Sequence, residues 1–226
     1  MYLWLQDLDW DQLVPENAAV KWNSFNGQLK VVEDIHMPRR INYNSSAAIQ
    51  LHGFCDSSER AYGAIVYSIT TNDLGEKKIT LLVAKSKVAS ARAKITIPRL
   101  ELCAAVLLAK LMKRTITALD IQKIRSFVWT DSMITLAWIR GDASRWKTFV
   151  ANRVAEINRL LPTQLWHHAP TEDNPADLIS RDVDPVKIKG NDPQWNGPKW
   201  LMAQAGPNAS NNGRNKTLLP CDSPPR

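Results

Sequence analysis

Ile97-Pro98-Arg99-Leu100-Glu101-Leu102-Cys103-Ala104-Ala105, continued through Leu108 and Met112 to Thr117, contains one residue that a plain core helix does not explain. Proline suits a helix's first position, where its missing N–H is not needed, and the Leu/Ala/Lys-rich run behind it is strongly helix-forming. The stretch predicts a helix of about twenty residues. At about 100° per residue, Lys110, Lys113, Arg114 and Thr117 return to within roughly 60° of Arg99 and mark the solvated face. Glu101 falls roughly 200° away, on the stripe of Ala105, Leu108 and Met112. A carboxylate facing a core must be paired, ligated or protonated, because burying it alone costs far more than a fold can spare. Its partners must come from elsewhere in the chain.

Upstream of this helix the pattern is that of strands. Ile49, Leu51, Gly53 and Cys55 alternate with Gln50, His52, Phe54 and Asp56, which puts Asp56 at a strand's end. Ala61 to Thr70 predicts a second strand and Lys78 to Lys85 a third, with turn chemistry in Thr71-Asn72-Asp73-Leu74-Gly75 between them. Short connections make these an antiparallel meander. A basic loop, Ser86 to Thr96, leads into the helix. Downstream, Ile124 to Thr130 predicts a fourth strand ending in Trp129-Thr130-Asp131, and a helix capped by Ser132 or Asp131 runs on to Arg140. Arg145 to Leu160 keeps helical spacing, and Gln164 to His168 is a short fifth strand. Asn174-Pro175-Ala176-Asp177 then offers an N-cap, a first-position proline and a first-turn acid for a last helix. Strands in a run, followed by strands alternating with helices, predict an α/β fold with a mixed five-stranded sheet and helices on both faces. In such sheets sites form outside the carboxyl ends of the strands, where Asp56 and Asp131 stand.

The flanks differ from this middle. Residues 1–44 read as the tail of a preceding connection or thumb-like segment, with Ala18 to Leu29 as a short helix, and 45–184 as the main domain. Residues 185–203 form a Trp-rich extension, and 204–226, rich in Asn, Pro, Gly and Ser, predict disorder. Of the 226 residues 44% are apolar, enough for one sizeable core, and the net charge is +7. The charge is unevenly spread. Ten Lys/Arg against two acids lie between Lys85 and Arg125, whereas the first 34 residues hold six acids and two lysines. Basic charge therefore surrounds Glu101, and the loop from Lys85 to Arg99 is a candidate for phosphate contacts. Three cysteines without paired or zinc-like spacing fit a reducing compartment, and no signal peptide or eighteen-residue apolar run is visible. These point to a soluble, non-secreted chain that does not enter a membrane.

Four acids thus stand at element ends or on a core-facing stripe: Asp56, Glu101, Asp131 and Asp177. The segments that hold them, Leu51-His52-Gly53-Phe54-Cys55-Asp56-Ser57-Ser58, Ile97-Pro98-Arg99-Leu100-Glu101-Leu102, Trp129-Thr130-Asp131-Ser132 and Asp173-Asn174-Pro175-Ala176-Asp177-Leu178-Ile179-Ser180-Arg181, resemble the ribonuclease H domain of BEL/Pao-type retrotransposon Gag-Pol polyproteins, a group also called the Pao retrotransposon peptidase family. The likeness runs from about Leu3 to Leu201 and includes the Trp195-Asn196-Gly197-Pro198 tail. It implies a ribonuclease H-like fold and hydrolysis of the RNA strand of RNA–DNA hybrids. Two Mg2+ ions, or Mn2+ in their place, would be held by Asp56, Glu101, Asp131 and Asp177. By the same resemblance Asp56 bridges both ions, Glu101 and Asp131 complete one site and Asp177 the other. Ser57, Lys85, Lys87, Arg92, Lys94, Arg99 and Ser132 become candidate nucleic-acid contacts. The implied partners are the hybrid and the reverse transcriptase portion of a parent polyprotein, in the cytoplasm or within virus-like particles, with the oligomeric state open.

Blander readings accompany each residue. Asp177 and Asp131 satisfy helix-start rules without function, Asp56 fits a turn with Ser57 and Ser58, and the basic run suits a solvated face. His167 and His168 fall within the fifth strand, which favours packing, and the tryptophans read as core. Among rival functions, an aspartic peptidase needs Asp-Ser/Thr-Gly loops, and neither Asp56-Ser57-Ser58 nor Asp131-Ser132-Met133 has the glycine. An integrase would place its glutamate last, whereas here it is second. A catalytically inactive nucleic-acid-binding remnant is the stronger alternative.

Overall fold

The computed structural model describes residues 8–36, 41, 49–90, 95–121, 124–181, 183–189 and 192–202. The expectations for 38–40, Arg92, Lys94 and 204–226 lie outside the described residues. Helix α1 (Glu16–Gln28) precedes the sheet and runs into a 3-10 turn at Leu29–Asp34. Strands β1 (Ile49–Ser57), β2 (Ala61–Thr71) and β3 (Lys77–Val88) pair antiparallel as the meander expected from their short connections. Helix α2 (Ile97–Leu119) carries Pro98 in its first turn and closes at Asp120, whose left-handed φ of 47° turns the chain out. Strand β4 (Ile124–Thr130) returns parallel to β1, helices α3 (Met133–Arg140) and α4 (Thr148–Leu160) follow, and β5 (Trp166–His168) lies parallel to β4. The sheet order is β3-β2-β1-β4-β5. Three short helices, α5 (Asp177–Ser180), α6 (Pro185–Lys189) and α7 (Asp192–Asn196), complete the described chain.

Period two on β1 divides the core. Ile49, Leu51 and Cys55 face a layer built by α2, α3 and α4, where Ala105, Leu108, Met112, Leu136, Val154 and Ile157 are all buried. Gly53 lies on the same face. A Cβ there would stand 2.7 Å from Leu108 and 2.9 Å from Met112, so a bare glycine is what lets α2 lie close on β1. Phe54 points the other way, with Ile65, Tyr67, Ile69 and Trp129, and this second layer is closed by Ala169, Ala176 and Leu201. The long helices α2, α3 and α4 thus cover one face, while the short helix α5 and the Trp200–Leu201 segment cover the other. Trp200 packs edge-on to Trp129 with ring centroids 4.8 Å apart, and the Tyr67 hydroxyl donates to the Gln194 carbonyl at 2.6 Å.

Several boundaries differ from expectation. Strand β3 runs to Val88 because β2 offers partners that far, with Ala61 opposite Val88. Lys85 and Lys87 therefore sit on an edge strand, where lysine is well tolerated, and not in a loop. The helix expected from Arg145 starts at Thr148, after a separate 3-10 turn at Ala143–Arg145 capped by Asp142. The last helix shrinks to the single turn α5, preceded by Ala176. Asn174 caps no long helix. Its amide donates to the Cys55 carbonyl at 3.1 Å and its oxygen accepts from the Ala176 N–H, which pins this loop to the end of β1. Tryptophan is not uniformly core: Trp166 and Trp129 are buried, but Trp10 and Trp22 are exposed, the latter stacked on Phe25. Helix α1 buries none of its residues, and Lys189 of α6 bonds Asp34 beyond its end at 2.7 Å. Among the described residues no helix is long and apolar enough to cross a membrane.

Candidate active site

Asp56 is the penultimate residue of β1, buried at 7% exposure. In the parallel register Cys55 stands beside Thr130, so the next residues in the chain, Asp56 and Asp131, stand side by side where β4 ends. Ser132 follows as the N-cap of α3. Its hydroxyl accepts from the Thr135 N–H and donates to Oε2 of Glu101, which brings the first turn of α2 to the end of β4. Glu101 is half-buried at the rim of the α2 core stripe, where Ala105, Leu108 and Met112 are fully buried. The carboxylate that fits no plain core helix is thus held by a serine from another element.

The fourth acid arrives by close packing. Gly63 of β2 is the antiparallel neighbour of Asp56, and a Cβ on it would fall 2.6 Å from Ile179 Cγ2. Its absence lets α5 settle on the sheet beside Asp56. The buried Ser180 hydroxyl then donates to Asp56 Oδ2 at 2.7 Å and reaches the Asp177 carbonyl at 2.9 Å, while the Ser58 hydroxyl donates to the Ser180 carbonyl. Asp177 itself is held by Arg181, whose Nε and terminal nitrogen both lie 2.7 Å from Oδ1.

Electrostatics ties the four together. Burial pushes the Asp56 carboxyl up to about 6, the Ser180 hydrogen bond opposes this, and the charges of Asp131 and Asp177 add to it. Burial likewise raises Glu101, against the Ser132 hydrogen bond and with the help of Asp131. Among the described residues no three acid, histidine or cysteine side chains are already gathered closely enough to hold one ion. Three of the four carboxylates are turned onto protein partners: Asp56 onto Ser180, Glu101 onto Ser132 and Asp177 onto Arg181. The donor set nonetheless fits magnesium. It is carboxylate oxygen throughout, and the negative charges that raise Asp56 and Glu101 are relieved by a cation.

The remaining candidates divide. Ser132 belongs to the site. Ser57 adjoins it, with its hydroxyl buried and without a partner among the described residues. Lys85 and Lys87 are exposed at the same end of the sheet but two strands away, opposite Ala64 and Tyr62 of β2. Arg99 is exposed with its guanidinium 5.0 Å from the Phe149 ring, which Arg153 covers at 3.4 Å. His167 lies in β5 and packs on Trp129 at 5.0 Å. His52 accepts from the Trp129 indole N–H at 3.2 Å, and burial depresses its pKa to about 3, so it is a neutral packing residue. Sequence reasoning missed Ser180 and Arg181 as site residues. The signal was present, since the two lie three and four positions after Asp177 and share its helical face.

Three antiparallel strands followed by two parallel ones, in the order β3-β2-β1-β4-β5, define a ribonuclease H-like domain. The family model described as Pao retrotransposon-like RNaseH-like domain matches residues 1–132, and the chain belongs to that family. The matched span includes Asp56, Glu101 and Asp131 and stops short of Asp177. Similar solved structures include the N-terminal RNase H domain of rv2228c from Mycobacterium tuberculosis, 15% identical, covering 64% of this chain and 96% of that one at a TM-score of 0.39. The compost-derived LC11-RNase H1 in complex with an RNA/DNA hybrid is 14% identical, with 62% and 99% covered at 0.39. The protease-reverse transcriptase of prototype foamy virus is 13% identical, with 68% and 21% covered at 0.35. No curated protein sequence matches the chain.

Proposed function

We propose that this domain hydrolyses the RNA strand of RNA–DNA hybrids. The observation that supports the reading is geometric: the parallel register sets Asp131 next to Asp56, Ser132 ties Glu101 to the end of β4, and Ser180 of α5 bonds Asp56. Asp56, Glu101, Asp131 and Asp177 would hold two magnesium ions, with manganese as a substitute. When bound, such ions activate water and stabilise the departing 3′ oxygen. Asp56, central in the row, is suited to serve both ions. Ser180 and Ser132 hold two of the carboxylates in place, which limits the reorganisation needed on binding. Lys85, Lys87 and Arg99, with Arg92 and Lys94 between them in sequence, would contact phosphates, and the hybrid would be told from DNA by its 2′-hydroxyls. The reverse transcriptase portion of a parent polyprotein is the natural partner.

A catalytically inactive nucleic-acid binder is the second reading, favoured by the Arg181 guanidinium that sits on Asp177. A labelled RNA–DNA hybrid in magnesium separates the two. The nuclease reading expects RNA cleavage that Asp131→Asn abolishes; hybrid binding without cutting by the unmodified chain would overturn it.

A further inference from the structure

Arg181 and Asp177 form an ion pair at one of the acids just assigned to metal, with the partner supplied by the same helical turn. Both guanidinium nitrogens approach the single oxygen Oδ1 at 2.7 Å, and the pair is open to water, with side-chain exposures of 62% and 32%. Ser180 and Arg181 are adjacent, and each addresses a different carboxylate: the serine donates to Asp56, the arginine to Asp177. The two contacts differ in kind. A hydroxyl donor orients a carboxylate and leaves its charge intact. A guanidinium offsets part of that charge and sits on Oδ1, one of the two oxygens open to a cation, and two positive groups close to one carboxylate repel.

We propose that Arg181 is a resident counter-ion for Asp177, whose charge it partly offsets and from which it must withdraw when a divalent cation binds there. The proposal rests on the metal reading of the four acids. An exposed ion pair is weak, so displacement does not block binding. It lowers the affinity of the Asp177 side of the site relative to the Glu101 side, whose carboxylate is held by a neutral serine. The two ions would then bind in order, the second at higher concentration. Removing the guanidinium should tighten the weaker manganese step roughly fivefold, the scale of a surface pair.

Manganese titration of the full chain without substrate, followed by electron paramagnetic resonance of the free ion, tests this in the unmodified protein, Arg181→Gln, Arg181→Lys, Asp177→Asn and the Asp177→Asn/Arg181→Gln double variant. Thermal melting checks that each is folded. Expected are a tighter second step in Arg181→Gln, a near-normal one in Arg181→Lys, which keeps the charge, and no effect of Arg181→Gln once Asp177 is gone. An unchanged or weakened second step in folded Arg181→Gln would overturn the counter-ion role and leave the metal reading standing. No manganese binding by the unmodified chain would overturn both.

Discussion

Asp56 carries the clearest residue-scale consequence. Its folded pKa of about 6 lies above the ordinary 3.8, so its contribution to stability is full below about pH 4 and is lost as pH rises through 6. Once ionised in metal-free protein it costs about 3 kcal/mol. Asp56→Asn should therefore melt at a higher temperature than the unmodified chain above pH 6, and the gap should close as pH falls towards 4. Added magnesium should reverse the order by stabilising only the protein that keeps the carboxylate. Differential scanning calorimetry across that range checks both signs, and a gap independent of pH would contradict the assignment. The comparison needs paired variants. His52, held neutral with a pKa near 3 against 6.5 unfolded, pulls the other way as pH falls, and only the difference between proteins removes its effect.

At the scale of elements, a four-residue helix does the work expected of a longer one. Helix α5 is too short to be stable alone, and it stands where it does because Asn174 ties the preceding loop to the Cys55 carbonyl and Gly63 leaves room for Ile179. Gly63→Ala should lift α5 from the sheet and carry Asp177 and Ser180 away from Asp56. Stability should fall by about 1–3 kcal/mol, whereas hybrid cleavage should fall on the order of a hundredfold, since small misplacements of catalytic groups are costly. Melting and cleavage measured together would show whether the two losses separate in this way. Helix α2, β1 and β4 were legible because their apolar periodicity is strong and their ends are marked by Pro98, Asp56 and Ser132. The extent of β3 was not, because Lys85-Ser86-Lys87-Val88 has no core pattern and follows β2 through backbone pairing. The one-turn length of α5 was equally hidden, since Asn174-Pro175 is a good helix start in isolation and its bond to Cys55 depends on a residue 119 positions away.

For the whole molecule, the sheet order β3-β2-β1-β4-β5 sets β1 beside β4, and with them Asp56 beside Asp131, while Glu101 and Asp177 come from the helices α2 and α5. The order of the four acids was readable in the chain, and so was the misfit of Glu101 on its apolar stripe. Arg181 was readable four positions after Asp177, but the bonds of Ser132 to Glu101 and of Ser180 to Asp56 were not, because they join residues 31 and 124 positions apart. The second layer also depends on the C-terminal segment, whose Trp200 and Leu201 close over Phe54 and Trp129. Crystals soaked in manganese and measured at its absorption edge test the central claim most directly. Two anomalous peaks about 3.5–4 Å apart are expected among the carboxylates of Asp56, Glu101, Asp131 and Asp177. Saturating manganese that leaves these four carboxylates without a peak would contradict it.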